Sequence, residues 1–207
     1  VERSRGLGDV YKRQADARAY RRTRHGDSPY HRQSYRGDRW QPRMYFRGNI
    51  MNNIILFGGT FDPIHHGHLY LARAAAEQLN AMQTLFLPAG EPYHKTTPRT
   101  PAEHRLAMAT LAVESHPDFA VSDCDIVRSG ATYTYDTVQI FKQLYPSAQL
   151  YWLLGSDSLL QLHTWHKWRD LVRHTRFAVA MRAGSGLAHT PRELQSWLGA
   201  AVQNGCL

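Results

Sequence analysis

The apolar run Ile54-Ile55-Leu56-Phe57 passes directly into Gly58-Gly59-Thr60-Phe61-Asp62-Pro63-Ile64-His65-His66-Gly67-His68, and then into Leu69-Tyr70-Leu71-Ala72-Arg73-Ala74-Ala75-Ala76. No other feature constrains the fold as strongly as this order of strand, glycine turn and helix. The glycines permit close backbone approach and unusual dihedrals, Pro63 stiffens the loop, and the alanine-rich tail has helix-forming composition. A helix that begins at these histidines offers unpaired N–H groups and a positive dipole end to an anion. His65 and His68, three apart, are expected on one face, aimed at the same spot. The run predicts a phosphate-binding turn. It is more specific than a lone glycine pair, because every residue of it stands in the strand, turn and helix context that the mechanism requires. Metal ligation is the rival reading of the two histidines. It needs a third ligand from a distant histidine, since the two cysteines, Cys124 and Cys206, lie far apart, and no protein-built metal site is expected.

Beyond this run the pattern alternates strand and helix signals, as a parallel sheet with crossover helices demands. Strands are predicted over 53–57, 84–87, 119–122, 149–154 and 177–181, and helices over 67–79, 100–115, 136–144 and 165–174, with a further helix from about Thr190. Thr100-Pro101-Ala102-Glu103 reads as a capping box with proline in the first turn. Gln149-Leu150-Tyr151-Trp152-Leu153-Leu154 is almost continuously apolar, which suits a central strand buried on both faces. It ends in Gly155-Ser156-Asp157, placing a glycine and a carboxylate at a strand's carboxyl end, where doubly wound sheets bind nucleotides. The expected fold is α/β, a doubly wound Rossmann-like parallel sheet.

Charge divides the chain unevenly. Residues 1–50 carry 13 Lys and Arg against 5 Asp and Glu, a net of +8, while residues 51–207 carry 12 of each. The first stretch has one leucine and little aliphatic periodicity, so it has too little apolar area to offset the entropy of ordering. It is read as a disordered basic extension, translated from upstream of a natural start at Met51 or artefactual. A nucleic-acid-binding arm and a transit peptide are the rival readings, and neither is preferred: no nucleic-acid partner is expected, and the acidic residues fit a transit peptide badly. Residues 51–207 are expected to form one domain with a substantial core. With no disulfide framework and no apolar run of membrane-spanning length, a cytoplasmic location is expected.

His65-His66-Gly67-His68 resembles the His-x-Gly-His signature of the nucleotidyltransferase superfamily. Pro92-Tyr93-His94-Lys95, Ser129-Gly130-Ala131-Thr132-Tyr133-Thr134-Tyr135-Asp136-Thr137 and Gly155-Ser156-Asp157-Ser158-Leu159 with Thr164-Trp165 narrow the resemblance to the nicotinate-nucleotide adenylyltransferases. It covers residues from Met51 to about Ala183. The family closes with an Ile-Ser-x-Thr-x-Ile-Arg segment, and nothing like it occurs before Leu207, so the C-terminal part of the domain is expected to be missing.

The resemblance implies transfer of the adenylyl group of ATP to nicotinate mononucleotide. It implies His65 and His68 as catalytic phosphate ligands, with Gly58, Gly59, Thr60, Phe61, Gly67, Gly155 and Asp157 completing the ATP site. His94, Lys95, Tyr133, Thr134 and Trp165 would hold the mononucleotide. Mg2+ is expected to arrive on the ATP phosphates, because the chain has no dense carboxylate cluster to cage it. Two alternatives stay open: another nucleotidyltransferase with the same histidine motif, such as phosphopantetheine adenylyltransferase, and a nucleotide-binding fragment without turnover.

Overall fold

A computed structural model of the chain describes residues 52–92, 100–128, 130–181 and 190–203. Five parallel strands form the main sheet: β1 (Asn52–Gly59), β2 (Ala81–Pro88), β4 (Phe119–Val121), β6 (Ala148–Gly155) and β7 (Arg176–Ala180), in the order β4-β2-β1-β6-β7. A separate two-stranded ladder pairs β3 (Glu91–Pro92) with β5 (Ala131–Thr132), also in parallel. The helices are α1 (His66–Gln78), α2 (Ala102–Val113), α3 (Cys124–Val127), α4 (Thr134–Leu144), α5 (Ser156–Leu160), α6 (Trp168–His174) and α7 (Arg192–Gln203), with a 3-10 turn over Leu162–Thr164.

The order is that of a doubly wound sheet. From β1 the chain runs outward through β2 to β4, then returns to β6 on the other side of β1 and proceeds to β7. The direction reverses between β1 and β6, and because the strands are parallel their carboxyl ends share one edge there. Ligands of open α/β sheets bind at such a switch point.

Alternation places Ile55 and Phe57 of β1 on one face with Tyr151 and Leu153 of β6, Phe86 of β2, Ala72 of α1, and Ala109 and Val113 of α2 in one buried cluster. Ile54 and Leu56 point to the opposite face and are as fully buried. The sheet is covered on both sides, which explains why β1 and β6 read as unbroken apolar runs. β6 is an interior strand, as expected, although β1 is the central one.

The expected capping box at Thr100 does not form. Pro101 stands at the N-cap of α2 with extended ψ (φ −51°, ψ 149°) and no side chain caps the helix. The backbone of Thr100 is engaged elsewhere: its amide donates to Asp62 Oδ2 at 3.2 Å and its carbonyl accepts Arg105 Nε at 3.1 Å. The helix expected over 165–174 begins at Trp168, after the 3-10 turn. Residues 1–50, read as a disordered extension, lie outside the described residues, as do those beyond Gln203.

Candidate functional site

At the carboxyl end of β1, Gly58 and Gly59 lie within the strand rather than in a turn, and neither adopts positive φ. Their requirement is space. A Cβ on Gly58 would lie 2.7 Å from Cη2 of the buried Trp152 on the neighbouring β6, and one on Gly59 would meet the Phe61 ring at 3.0 Å. The unusual dihedral belongs instead to Phe61, at φ 50°. Such a conformation in a bulky residue costs about 1–3 kcal/mol and persists only where its surroundings over-determine it. Here the ring is buried, edge-on to Phe57 at 5.4 Å and to His68 at 5.1 Å between centroids, and tilted against Phe86 at 5.8 Å.

This aromatic floor seats the histidines. α1 starts at His66, with the exposed His65 as its N-cap residue and His68 as its third helical residue. The two imidazoles stack at 3.7 Å between centroids with 28° between planes. The His65 amide donates to His68 Nδ1 at 3.2 Å. An N–H can only donate, so Nδ1 carries no proton and the neutral ring holds it on Nε2, which becomes a donor aimed away from the backbone. A Cβ on Gly67 would meet the His65 ring at 3.0 Å. The first turn of α1 contains no acidic residue, so its positive end is not internally neutralised. The arrangement suits an anion that accepts hydrogen bonds at its oxygens.

Gly155 and Asp157 sit at the carboxyl end of β6, the strand beside β1. Gly155 is the N-cap of α5, and Asp157, which is exposed, lies in the helix's first turn. The pyridine-end residues also come together: Tyr133 is the N-cap of α4, Thr134 its first residue, and the half-buried Trp165 closes the 3-10 turn. The ring of Tyr133 lies 4.4 Å from that of His166, directly after Trp165, so the two segments meet. His94 and Lys95 lie outside the described residues.

Three residues that hold the site were not singled out from sequence. Arg105, on α2, is buried and donates from Nη1 to the Thr60 carbonyl at 2.7 Å, from Nε to that of Thr100 at 3.1 Å and from Nη2 to that of Gly90 at 3.2 Å. Burial pushes its pKa down, while the charges of Asp62 and Glu103 pull it up. Asp125, buried on α3, accepts the Thr137 hydroxyl at 2.6 Å and pairs with Arg128 at 3.1 Å. Burial raises its carboxyl pKa, opposed by the Thr137 hydrogen bond and by Arg128. His166 is the third. A polar residue inside a helix pattern reads as solvent-facing, so Arg105 left no signal of its own.

The description cytidylyltransferase-like fits a family model over residues 56–201. A protein of Neisseria meningitidis serogroup C named probable nicotinate-nucleotide adenylyltransferase is 62% identical over 157 residues, covering 76% of this chain and 80% of the relative. One of that name from Acidithiobacillus ferrooxidans is 39% identical over 147 residues, covering 71% and 67%. Among solved structures, a nicotinic acid mononucleotide adenylyltransferase of Plasmodium falciparum complexed with NaAD superposes with a TM-score of 0.56 at 24% identity, over 72% of this chain and 70% of that one, a likeness of fold. With the histidine pair at the switch point of the sheet, a family model matching residues 56–201 and relatives up to 62% identical, the chain belongs to the nicotinate-nucleotide adenylyltransferase family of cytidylyltransferase-like proteins.

Proposed function

We infer that this chain transfers the adenylyl group of ATP to nicotinate mononucleotide, giving nicotinate adenine dinucleotide and pyrophosphate, a step of NAD biosynthesis. The observation that carries this reading is the stacked His65–His68 pair at the acid-free start of α1, beside the switch point. A phosphate oxygen of the mononucleotide attacks the α-phosphorus of ATP and pyrophosphate leaves. The attacking phosphate is already ionised at neutral pH, so no strong base and no enzyme nucleophile are required. The chain's task is alignment and neutralisation of the charge that grows on the phosphate oxygens.

His68 is proposed to donate from Nε2 to the α-phosphate, and His65 to the phosphates next to it. The amides of Gly59 and Thr60 are proposed for the ribose-phosphate, at a strand end where Gly58 leaves room for Trp152 and Phe61 shapes the turn, and Gly67 lets the helix start approach. Gly155 gives room at the β6 end, and Asp157 suits a ribose hydroxyl. Tyr133, Thr134 and Trp165 are proposed for the nicotinate ring and its carboxylate: indole and phenol rings stack on a flat heterocycle, and a hydroxyl with backbone amides binds a carboxylate. His94 and Lys95 are proposed as hydrogen-bond donors, Lys95 with its charge, for the mononucleotide phosphate.

Mg2+ is proposed as a partner of the triphosphate. The donor set described here, two imidazoles and backbone amides, suits phosphate oxygens better than a hard cation, and the Asp62 carboxylate already takes the Thr100 amide. The ion would supply charge neutralisation, and the histidines orient the phosphates around it. The reaction is proposed to take place in the cytoplasm, where the buried thiol of Cys124 would stay reduced; among the described residues no helix is long and apolar enough to cross a membrane.

The experiment is pyrophosphate release from ATP with nicotinate mononucleotide, nicotinamide mononucleotide or 4′-phosphopantetheine as acceptor. Release dependent on the nicotinate compound supports the reading. Release dependent on phosphopantetheine would replace it with the neighbouring nucleotidyltransferase activity.

A further inference from the structure

Arg105 is 1% exposed, and its guanidinium is spent on three backbone carbonyls from three separate segments. Thr60 belongs to the turn after β1, Gly90 follows the end of β2, and Thr100 precedes α2. Burying a cation is unfavourable, and an apolar side chain of similar volume would serve packing as well. What an apolar side chain cannot do is fix three carbonyls at the angles of one planar fork. The acidic neighbours Asp62 and Glu103 act on Arg105 through space, while its hydrogen bonds go to backbone.

Two of the carbonyls, those of Thr60 and Gly90, lead to the site by a short path. Thr60 directly precedes Phe61, whose backbone is held at φ 50° and whose ring lies edge-on to His68 at 5.1 Å. Gly90 packs so closely on α3 that a Cβ there would collide with the Asp125 carbonyl. Asp125 in turn accepts the hydroxyl of Thr137, one turn into α4 from the N-cap residue Tyr133. One guanidinium thus joins the phosphate turn to the segment that bears Tyr133 and Thr134.

We propose that Arg105 is a positioning residue for adenylyl transfer: by gripping the Thr60 and Gly90 carbonyls it holds Phe61 in its left-handed conformation and so sets the His68 ring against the phosphates. The proposal rests on the adenylyl-transfer reading. It requires that loss of the fork lowers kcat through His68; the Asp125–Thr137 bond, which anchors the segment of Tyr133 and Thr134 without Arg105, remains, so nicotinate mononucleotide is held about as tightly.

The full chain and its Arg105→Lys and Arg105→Ala variants decide it, assayed well below their melting temperatures with ATP and nicotinate mononucleotide. Lysine keeps the charge and reaches one carbonyl at a time, so kcat should fall about a hundredfold, the loss that a displacement of about 1 Å produces, while KM for the mononucleotide stays within a few-fold. Millimolar methylguanidinium should restore part of the kcat of Arg105→Ala and leave the parent unchanged. Should the alanine variant fail to fold, the lysine variant alone carries the test. Amide hydrogen exchange gives a readout independent of turnover: in Arg105→Lys it should quicken over residues 59–66 and stay as in the parent over β6. Parent-like kcat in a folded Arg105→Lys, or quickened exchange spread evenly through the sheet, overturns the proposal. A parent chain inert with both substrates would overturn the adenylyl-transfer reading instead, and the exchange pattern would still decide whether Arg105 fixes the turn.

Discussion

Nδ1 of His68 accepts the His65 amide at 3.2 Å, and this bond makes the ring a directed donor rather than a freely rotating imidazole. His68→Ala should therefore lower kcat about a hundredfold or more, the usual loss when one preorganised donor is removed, with thermal stability near that of the parent because the residue is only half-buried. Steady-state kinetics beside a melting curve check both halves. At Gly58 the balance is reversed. The added methyl of Gly58→Ala would press on the buried Trp152 from a strand hydrogen-bonded on both sides, so it should cost about 1–3 kcal/mol of stability, read as a lowered melting temperature. The two histidines were legible as a pair at a helix start because their spacing is the signal; the glycines were legible as points of close approach, while the unusual dihedral expected of them falls to Phe61. Phe61 was legible as part of the motif, though not as its strained residue. Arg105 was not, since neither burial nor a left-handed dihedral is written in a helical or alternating pattern.

Long elements were readable and most short ones were not, the three-residue β4 excepted. β6 and β1 declared themselves as unbroken apolar runs, a consequence of burial on both faces. β3, β5 and α3 have two to four residues each, too few to show any period. At Thr100 a local sequence rule gave way to tertiary hydrogen bonds, one donated to Asp62 and one accepted from Arg105. The Asp125 network that anchors α3 to α4 has a pH signature. Burial raises its carboxyl above the ordinary 3.8, so the folded state binds the proton more tightly than the unfolded one. The stability this group contributes is complete below the ordinary carboxylate range and is lost as pH rises through the folded-state value. Asp125→Asn still offers Thr137 an acceptor and lacks the ionisation. Its melting temperature relative to the parent should therefore climb as pH rises above the ordinary carboxylate range. A relative fall over that rise would mean that the Arg128 ion pair outweighs burial.

At the scale of the whole molecule, the doubly wound order follows from alternating strand and helix signals, and the switch point between β1 and β6 follows from that order. All of the net charge of +8 lies in residues 1–50, a stretch with little aliphatic periodicity. Removing them should leave the melting temperature and the affinity for ATP unchanged, as differential scanning calorimetry and titration would show; a fall of several degrees would assign that stretch a structural role. The central claim is the identity of the acceptor, and quantifying products tests it most directly. The full chain, with ATP and nicotinate mononucleotide, should form nicotinate adenine dinucleotide and pyrophosphate in equal amounts, at a rate that His68→Ala reduces about a hundredfold. ATP binding without any pyrophosphate release that depends on nicotinate mononucleotide would contradict the account.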